Sequence, residues 1–367
     1  MNRLEQLRGA GVSIWLDDLS RELLDSGDFA DLISDRAVSG ATSNPTIFAR
    51  ALTGSERYDS QLRAAVASGV RDRQELFFRL ALDDVGRAAD LLRPVFEASG
   101  GRAGFVSFEC TPDLAQDTQG TVEQACQLWQ RLDRPNVMIK VPATGAGIPA
   151  IAELTARGIN VNVTLLFSVA RYEQVIDAYL SGLEQRLANG YEIGGITSVA
   201  SFFISRIDAK ADVMLPVGSD LRGQVAIANA ARAYATYRRY VTGRRSASLH
   251  DAGARPQRLL WASTGVKDPA YPDVLYVERL IAPDVITTMP RATLEAFADH
   301  GSADHALMTE TKSEQVLGRA AATGLDLDAL TADLEREGVE AFWDSYHQLL
   351  SHIGNKSDAL TGHVAKL

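Results

Sequence analysis

One alternation restricts the fold of this chain more than any other feature. Eight times, a short apolar, β-branched run ends in polar residues and gives way to a stretch with helical spacing. The runs are VSIWLDDLS from Val12, GATSNPT from Gly40, GFVSFECT from Gly104, VMIKVPAT from Val137, NVNVTLLFS from Asn160, ITSVASFF from Ile196, RLLWASTG from Arg258 and DVITTMP from Asp284. Between them, Phe77, Leu80, Ala81, Val85, Ala88 and Leu92 recur three and four residues apart, as do Ile176, Leu180, Leu183 and Leu187. That spacing marks amphipathic helices. The Ala-rich segment from Val225 to Val241 also reads as helix.

Strands that alternate with helices pair in parallel, because parallel strands need long crossovers. Eight of them predict an α/β fold closed into a (β/α)8 TIM barrel with additional helices. The alternative is an open, doubly wound sheet. Against it, no glycine-rich dinucleotide fingerprint follows the first run, and polar residues gather at the C-terminal ends of nearly all eight runs rather than at one switch point. The interval from Pro45 to Gly104 has room for two or three helices, and the polar, turn-rich stretch from Thr242 to Gln257 reads as a surface excursion. Leu327, Leu330, Leu334, Phe342, Tyr346 and Leu349 mark C-terminal helices outside the eightfold count, packed across the barrel or over its mouth. The expected organisation is a single domain over 1–367, with a helical extension from about 310 to 367.

With 46% apolar and 23% charged residues, a chain of 367 residues fills a sizeable core. A net charge of −10 argues against a nucleic-acid binder, which needs a basic face. It leaves room for phosphorylated small molecules held by a few local Arg or Lys side chains. Two cysteines, Cys110 and Cys126, do not make a disulfide framework, so a reducing cytoplasm is the expected setting. The opening MNRLEQLRGA has no secretory apolar region, and every apolar stretch is broken well before the ~18 residues of a membrane span.

Lys140, in the apolar run VMIKVP, is the most unusual residue of the chain. Lysine is seldom buried. It either snorkels from the strand end or faces the barrel mouth, where active sites of this fold lie. Enclosure disfavours the ammonium form, and only the neutral amine attacks a carbonyl. Carboxylates stand nearby in the pattern: Asp17 and Asp18 close the first run, and Glu109 the third. Side chains alternate along a strand, so Ser107 shares a face with Glu109, Asn162 shares one with Thr164, and only one of Asp17 and Asp18 points inward. Spacing alone does not choose between those two.

Ser43-Asn44-Pro45-Thr46 has the composition of a turn. Ser201 with Arg206 follows the sixth run, and Ser263 with Lys267 the seventh. The cations are either solvated surface charge or a phosphate clamp assisted by the hydroxyls. The six histidines form no metal-ligand pattern, and neither a nucleophile elbow nor a Walker loop is present.

SIWLDDLSRELL, GATSNPTIF, VSFECTP, VMIKVPAT, NVNVTLLFS, SVASFFISRID and LLWASTGVKDPAYPDVLYVE, in this order, resemble transaldolase in its longer bacterial form. The resemblance implies a class I aldolase-type barrel of the non-oxidative pentose phosphate pathway. Such enzymes move a dihydroxyacetone unit from sedoheptulose 7-phosphate or fructose 6-phosphate to erythrose 4-phosphate or glyceraldehyde 3-phosphate, without a cofactor. It makes Lys140 the Schiff-base lysine and Asp17 the acid/base. Glu109 and Thr164 become the pair that positions a catalytic water. Asn44, Asn162 and Ser201 become holders of substrate hydroxyls, with Ser107 on the same inner surface, and Arg206 a phosphate ligand. Where many shorter relatives carry Arg after the Ala-Ser of the seventh strand, this chain reads Ala262-Ser263-Thr264-Gly265-Val266-Lys267, which makes Lys267 the substitute. A monomer or homodimer is expected. The rival readings are an aldolase that releases free dihydroxyacetone, as a fructose-6-phosphate aldolase does, a relative recruited to another sugar phosphate, and a non-catalytic sugar-phosphate-binding protein.

Overall fold

The structure, a computed structural model, describes residues 2–53 and 55–364. Eight strands form its centre: β1 (Val12–Leu16), β2 (Val38–Thr42), β3 (Phe105–Glu109), β4 (Val137–Pro142), β5 (Val161–Leu166), β6 (Ser198–Phe203), β7 (Arg258–Ala262) and β8 (Val285–Met289). All pair in parallel in sequence order, and β1 joins β8 to close the barrel. The eight runs of the sequence are these strands. β2 begins at Val38, two residues before the GATSNPT run. The strands read as continuous apolar stretches because a parallel barrel is covered on both faces.

Sixteen α-helices surround the barrel: α1 (Arg3–Gly9), α2 (Arg21–Asp25), α3 (Asp28–Asp35), α4 (Pro45–Thr53), α5 (Asp59–Ala67), α6 (Arg73–Ala98), α7 (Thr118–Leu132), α8 (Gly147–Ala156), α9 (Val169–Ala188), α10 (Ser205–Met214), α11 (Val225–Val241), α12 (Arg244–Asp251), α13 (Leu275–Arg279), α14 (Arg291–His300), α15 (Glu310–Ala322) and α16 (Leu327–Val364). The interval after β2 holds three helices, α4 to α6, and the Ala-rich segment is α11 within the limits its sequence predicts.

Two expectations need correction. The stretch from Thr242 to Gln257 contains α12, which buries only Leu249. It is held to α9 by Arg245, whose guanidinium meets Asp177, Ser181 and Glu184. A helix docked by charge has no apolar periodicity to read. Leu187 is 43% exposed and lies outside the buried face of α9 that carries Ile176, Leu180 and Leu183.

The C-terminal apolar residues from Leu327 to Leu349 lie on one long helix. α16 runs across α4, α5, α6 and α10 and touches the end of β5. Among the described residues, no helix is long and apolar enough to cross a membrane.

Candidate active site

Strand register assembles the centre of the site. Glu109 of β3 pairs beside Lys140 of β4, and Lys140 beside Asn162 of β5. Lys140, only 5% exposed, donates from Nζ to the Ser43 carbonyl at 2.9 Å and to Glu109 Oε2 at 3.3 Å. It does not snorkel. Burial pushes the Glu109 carboxyl above its ordinary range, the Lys140 ammonium opposes that rise, and Asp17 adds to it.

A cavity of about 240 Å³ opens above Lys140 at the C-terminal ends of the strands. Asp17, Asn44, Thr164, Ser201, Arg206, Ser263 and Lys267 line it together with Lys140. Of the residues predicted from sequence, Ser107, Glu109 and Asn162 do not. Asn162 is fully buried one layer below; it donates to Ser107 Oγ at 2.8 Å and accepts from Ser201 at 2.7 Å. This chain of hydrogen bonds fixes the amide's orientation and the direction of the Ser201 hydroxyl.

Of the two acids that close β1, Asp17 faces the cavity. It accepts a 2.7 Å hydrogen bond from Thr42, whose oxygen lies 3.0 Å from Thr288 Oγ1. Because the Thr42 proton goes to the carboxylate, Thr288 is the donor in the second bond. Asp18 is half-buried beside it, and burial, followed by the Asp17 charge, pushes its carboxyl up against Arg291 and Arg50.

Asn44 serves two purposes. Its Oδ1 accepts from Ile47 N at 3.0 Å, capping α4 with Pro45 in the first helical turn, while the residue also borders the cavity. The turn reading and the site reading of this segment therefore describe one geometry.

Thr164 owes its direction to a break in β5. The register with β6 shifts between Val163 and Leu166, and Leu165 takes a left-handed φ of 57°. Such a bulge re-aims the neighbouring side chain. Thr164 Oγ1 is buried with no hydrogen-bond partner among the described residues. α16 crosses directly over this point at Gly338, where a Cβ would lie 2.9 Å from Leu165 Cδ2. Ser263 is also left-handed, with φ 55°, and its hydroxyl lies 2.9 Å from that of Ser205.

Arg206 rests its guanidinium 5.6 Å from the Phe203 ring centroid. Burial lowers its pKa, partly offset by Asp17 and Glu337. Lys267 is exposed at the rim. Sequence reasoning missed Thr42, Thr46, Ile47, Arg50 and Thr288, as well as the contribution of Phe342 from α16 to the cavity wall. Thr42 sits in a run already singled out for its polar end. Thr288 likewise lies on β8, while Thr46, Ile47, Arg50 and Phe342 reach the cavity through helix placement, for which no local signal exists. A larger, shallower groove of about 690 Å³ lies outside the barrel between α5, α6 and α7. Its Arg79, Arg87, Arg131 and Arg134 are already paired with Glu75, Asp25 and Asp90, and it lacks the convergent groups of the barrel mouth.

A buried lysine flanked by carboxyl groups, at the mouth of a closed parallel barrel, defines an enzyme of the aldolase type. The sequence profile of the transaldolase/fructose-6-phosphate aldolase family matches residues 14–353. A transaldolase of Saccharopolyspora erythraea is 50% identical over 362 residues, covering 97% of this chain and 98% of its own length. Those of Thermobifida fusca and Frankia alni are 48% and 46% identical, with at least 97% of each chain covered. The chain belongs to the transaldolase/fructose-6-phosphate aldolase family.

Proposed function

We propose that this chain is a transaldolase that transfers a dihydroxyacetone unit from sedoheptulose 7-phosphate or fructose 6-phosphate to glyceraldehyde 3-phosphate or erythrose 4-phosphate. It acts in the cytoplasm, as one domain of barrel plus helical extension. The observation that carries the reading is Lys140 Nζ, enclosed between the Ser43 carbonyl and Glu109 beneath a cavity lined by Asp17, Thr164 and Arg206.

The neutral Lys140 amine attacks the ketose C2 carbonyl and forms a carbinolamine. Glu109 delivers the proton with which the C2 hydroxyl leaves as water, and Thr164 Oγ1, without a hydrogen-bond partner among the described residues, holds that water. Asp17, kept in place by Thr42, takes the C4 hydroxyl proton. The C3–C4 bond then breaks, its electrons pass to the iminium, and the aldose phosphate departs. Asn44 and Ser201, the latter directed by Asn162, hold the remaining three-carbon enamine until an acceptor aldehyde arrives. Arg206 and Lys267 bind the phosphate and so orient that aldehyde.

The test is mass spectrometry after incubation with fructose 6-phosphate and borohydride, with Lys140→Ala alongside. A reduced three-carbon adduct mapped to Lys140 and absent from the variant is expected; no adduct on folded wild type would end this reading. A coupled assay with and without acceptor separates transfer from release of free dihydroxyacetone.

A further inference from the structure

A second, much smaller cavity adjoins the site. Glu109, absent from the wall of the main cavity, borders this one, together with Ser43, Asn44, Thr111 and Tyr346 of α16. Its volume is about 10 Å³, room for a single water. Asn44 borders both cavities, so the small one lies directly beside the reacting groups.

Tyr346 is the unexplained member. Its side chain is 1% exposed, and its ring packs edge-on against Phe77 at 5.8 Å. A hydrophobic wedge at this place needs no hydroxyl; phenylalanine would fill it, as Phe48, Phe77 and Phe108 do around it. Yet the Tyr346 hydroxyl is buried with no hydrogen-bond partner among the described residues. A buried phenol is normally paired. Among the residues that line the cavity it borders, Glu109 is the one carboxylate.

We propose that this cavity binds one ordered water that accepts from Tyr346 Oη and donates to the Glu109 carboxylate, making Tyr346 a positioning residue for the proton transfers at the Schiff base. The inference rests on the transaldolase reading above. In the dehydration step, the Glu109 carboxyl gives its proton to the carbinolamine oxygen. The C2–O bond breaks, water leaves, and the nitrogen lone pair closes the iminium. The carboxylate so formed is met by the water's hydrogen bond and recovers its proton when the product iminium is hydrolysed. Tyr346 loses no proton. Burial, together with Asp113 and Asp72, raises its pKa, so it remains a donor throughout. Glu109 itself is influenced by Lys140 from the neighbouring strand and by Asp17 from the end of β1, and Cys110 follows it in the chain.

Tyr346→Phe keeps the ring and removes the donor. Loss of a hydrogen bond to a carboxylate raises its pKa, so the ionisation of Glu109 in the kcat/KM profile moves to higher pH. Borohydride trapping slows, and kcat falls about 3- to 10-fold, less than the ~100-fold contributed by a general acid itself. KM for both sugar phosphates stays unchanged, which a merely structural role would not explain. An unaltered rate and pH profile in a variant with wild-type melting would overturn the inference. Wild type is trapped in parallel, and if it forms no adduct, the transaldolase reading fails instead. If the variant does not fold, a high-resolution crystal structure of wild type decides. A water within hydrogen-bond reach of both Tyr346 Oη and Glu109 is expected, and a dry cavity sinks the idea.

Discussion

Glu109 and Lys140 occupy paired positions on adjacent strands, with Oε2 and Nζ 3.3 Å apart and both side chains almost wholly buried. Removing one member of such a pair strands the other, at a typical cost of about 3–5 kcal/mol. Lys140→Met is therefore expected to abolish trapping and to destabilise the fold, and the loss depends on pH. Burial already raises the Glu109 carboxyl, and without the ammonium it rises further. A carboxyl that holds its proton more tightly when folded stabilises the protein at low pH, and that contribution is lost as pH rises through the folded value. The melting-temperature gap between Lys140→Met and wild type thus widens as pH rises from the ordinary carboxylate range through the raised Glu109 value; a constant gap contradicts this account.

Arg206 faces the cavity and lies over Phe203. A charge-assisted hydrogen bond to phosphate is worth roughly 1.5–3 kcal/mol, or about 10- to 100-fold in binding. Arg206→Ala should raise KM for phosphorylated sugars by that factor and leave adduct formation with unphosphorylated dihydroxyacetone near wild type. Equal losses with both ligands would place Arg206 elsewhere in the mechanism.

Asp208, two residues further along α10, is fully buried and accepts from Ala226 N at 2.8 Å and from the Tyr276 hydroxyl at 3.1 Å. Burial is the main cause that raises its pKa from 3.8 to about 7. The folded state therefore binds this proton more tightly than the unfolded chain does. The stabilisation is complete below about pH 4 and disappears as pH rises to about 7. Asp208→Asn keeps one oxygen as acceptor for Ala226 N, presents an amide donor to the Tyr276 hydroxyl in place of the second oxygen, and removes the titration. Thermal melts across this window should show a shallower decline for the variant than for wild type; parallel curves would assign the slope to other groups.

Arg21, near the exit of β1, reaches Asp84 at 2.8 Å, Gln61 at 2.6 Å and the Leu80 carbonyl at 3.2 Å, while Tyr58 donates to Asp84 at 2.8 Å. This network ties the segment that follows Asp17 to α6. Asp84→Ala removes the fully buried partner and leaves the buried guanidinium only the half-exposed Asp83 at 3.1 Å, and urea titration should show a loss of about 3–5 kcal/mol. A loss below about 1 kcal/mol, as for surface pairs, would mean that water or Asp83 takes over.

Much of this was legible in the sequence, and what was not has physical reasons. Strands were readable because each is buried on both faces and carries a continuous apolar run; Lys140 stood out because such a run admits a cation only at a cost. The choice between Asp17 and Asp18 was not readable, since it depends on where β1 leaves the ladder at Asp17 N, 2.8 Å from the Met289 carbonyl. Nor was the layering that puts Asn162 and Ser107 beneath the cavity, because alternation reports the face of a strand and not the depth within a barrel. Arg50, Thr46 and Phe342 enter through the packing of α4 against α16, fixed in part by the 2.8 Å bond from Thr46 to Ser345. That contact joins residues almost three hundred positions apart.

α16 is made by the ribosome after all eight strands, yet it supplies Phe342 to the cavity wall, lays Gly338 against Leu165 and brings Tyr346 beside Glu109. A nascent chain that has already closed its barrel would still present Lys140 in an open mouth. A barrel formed from the strands alone lacks that part of the cavity wall, so the site has its full lining only when α16 is docked.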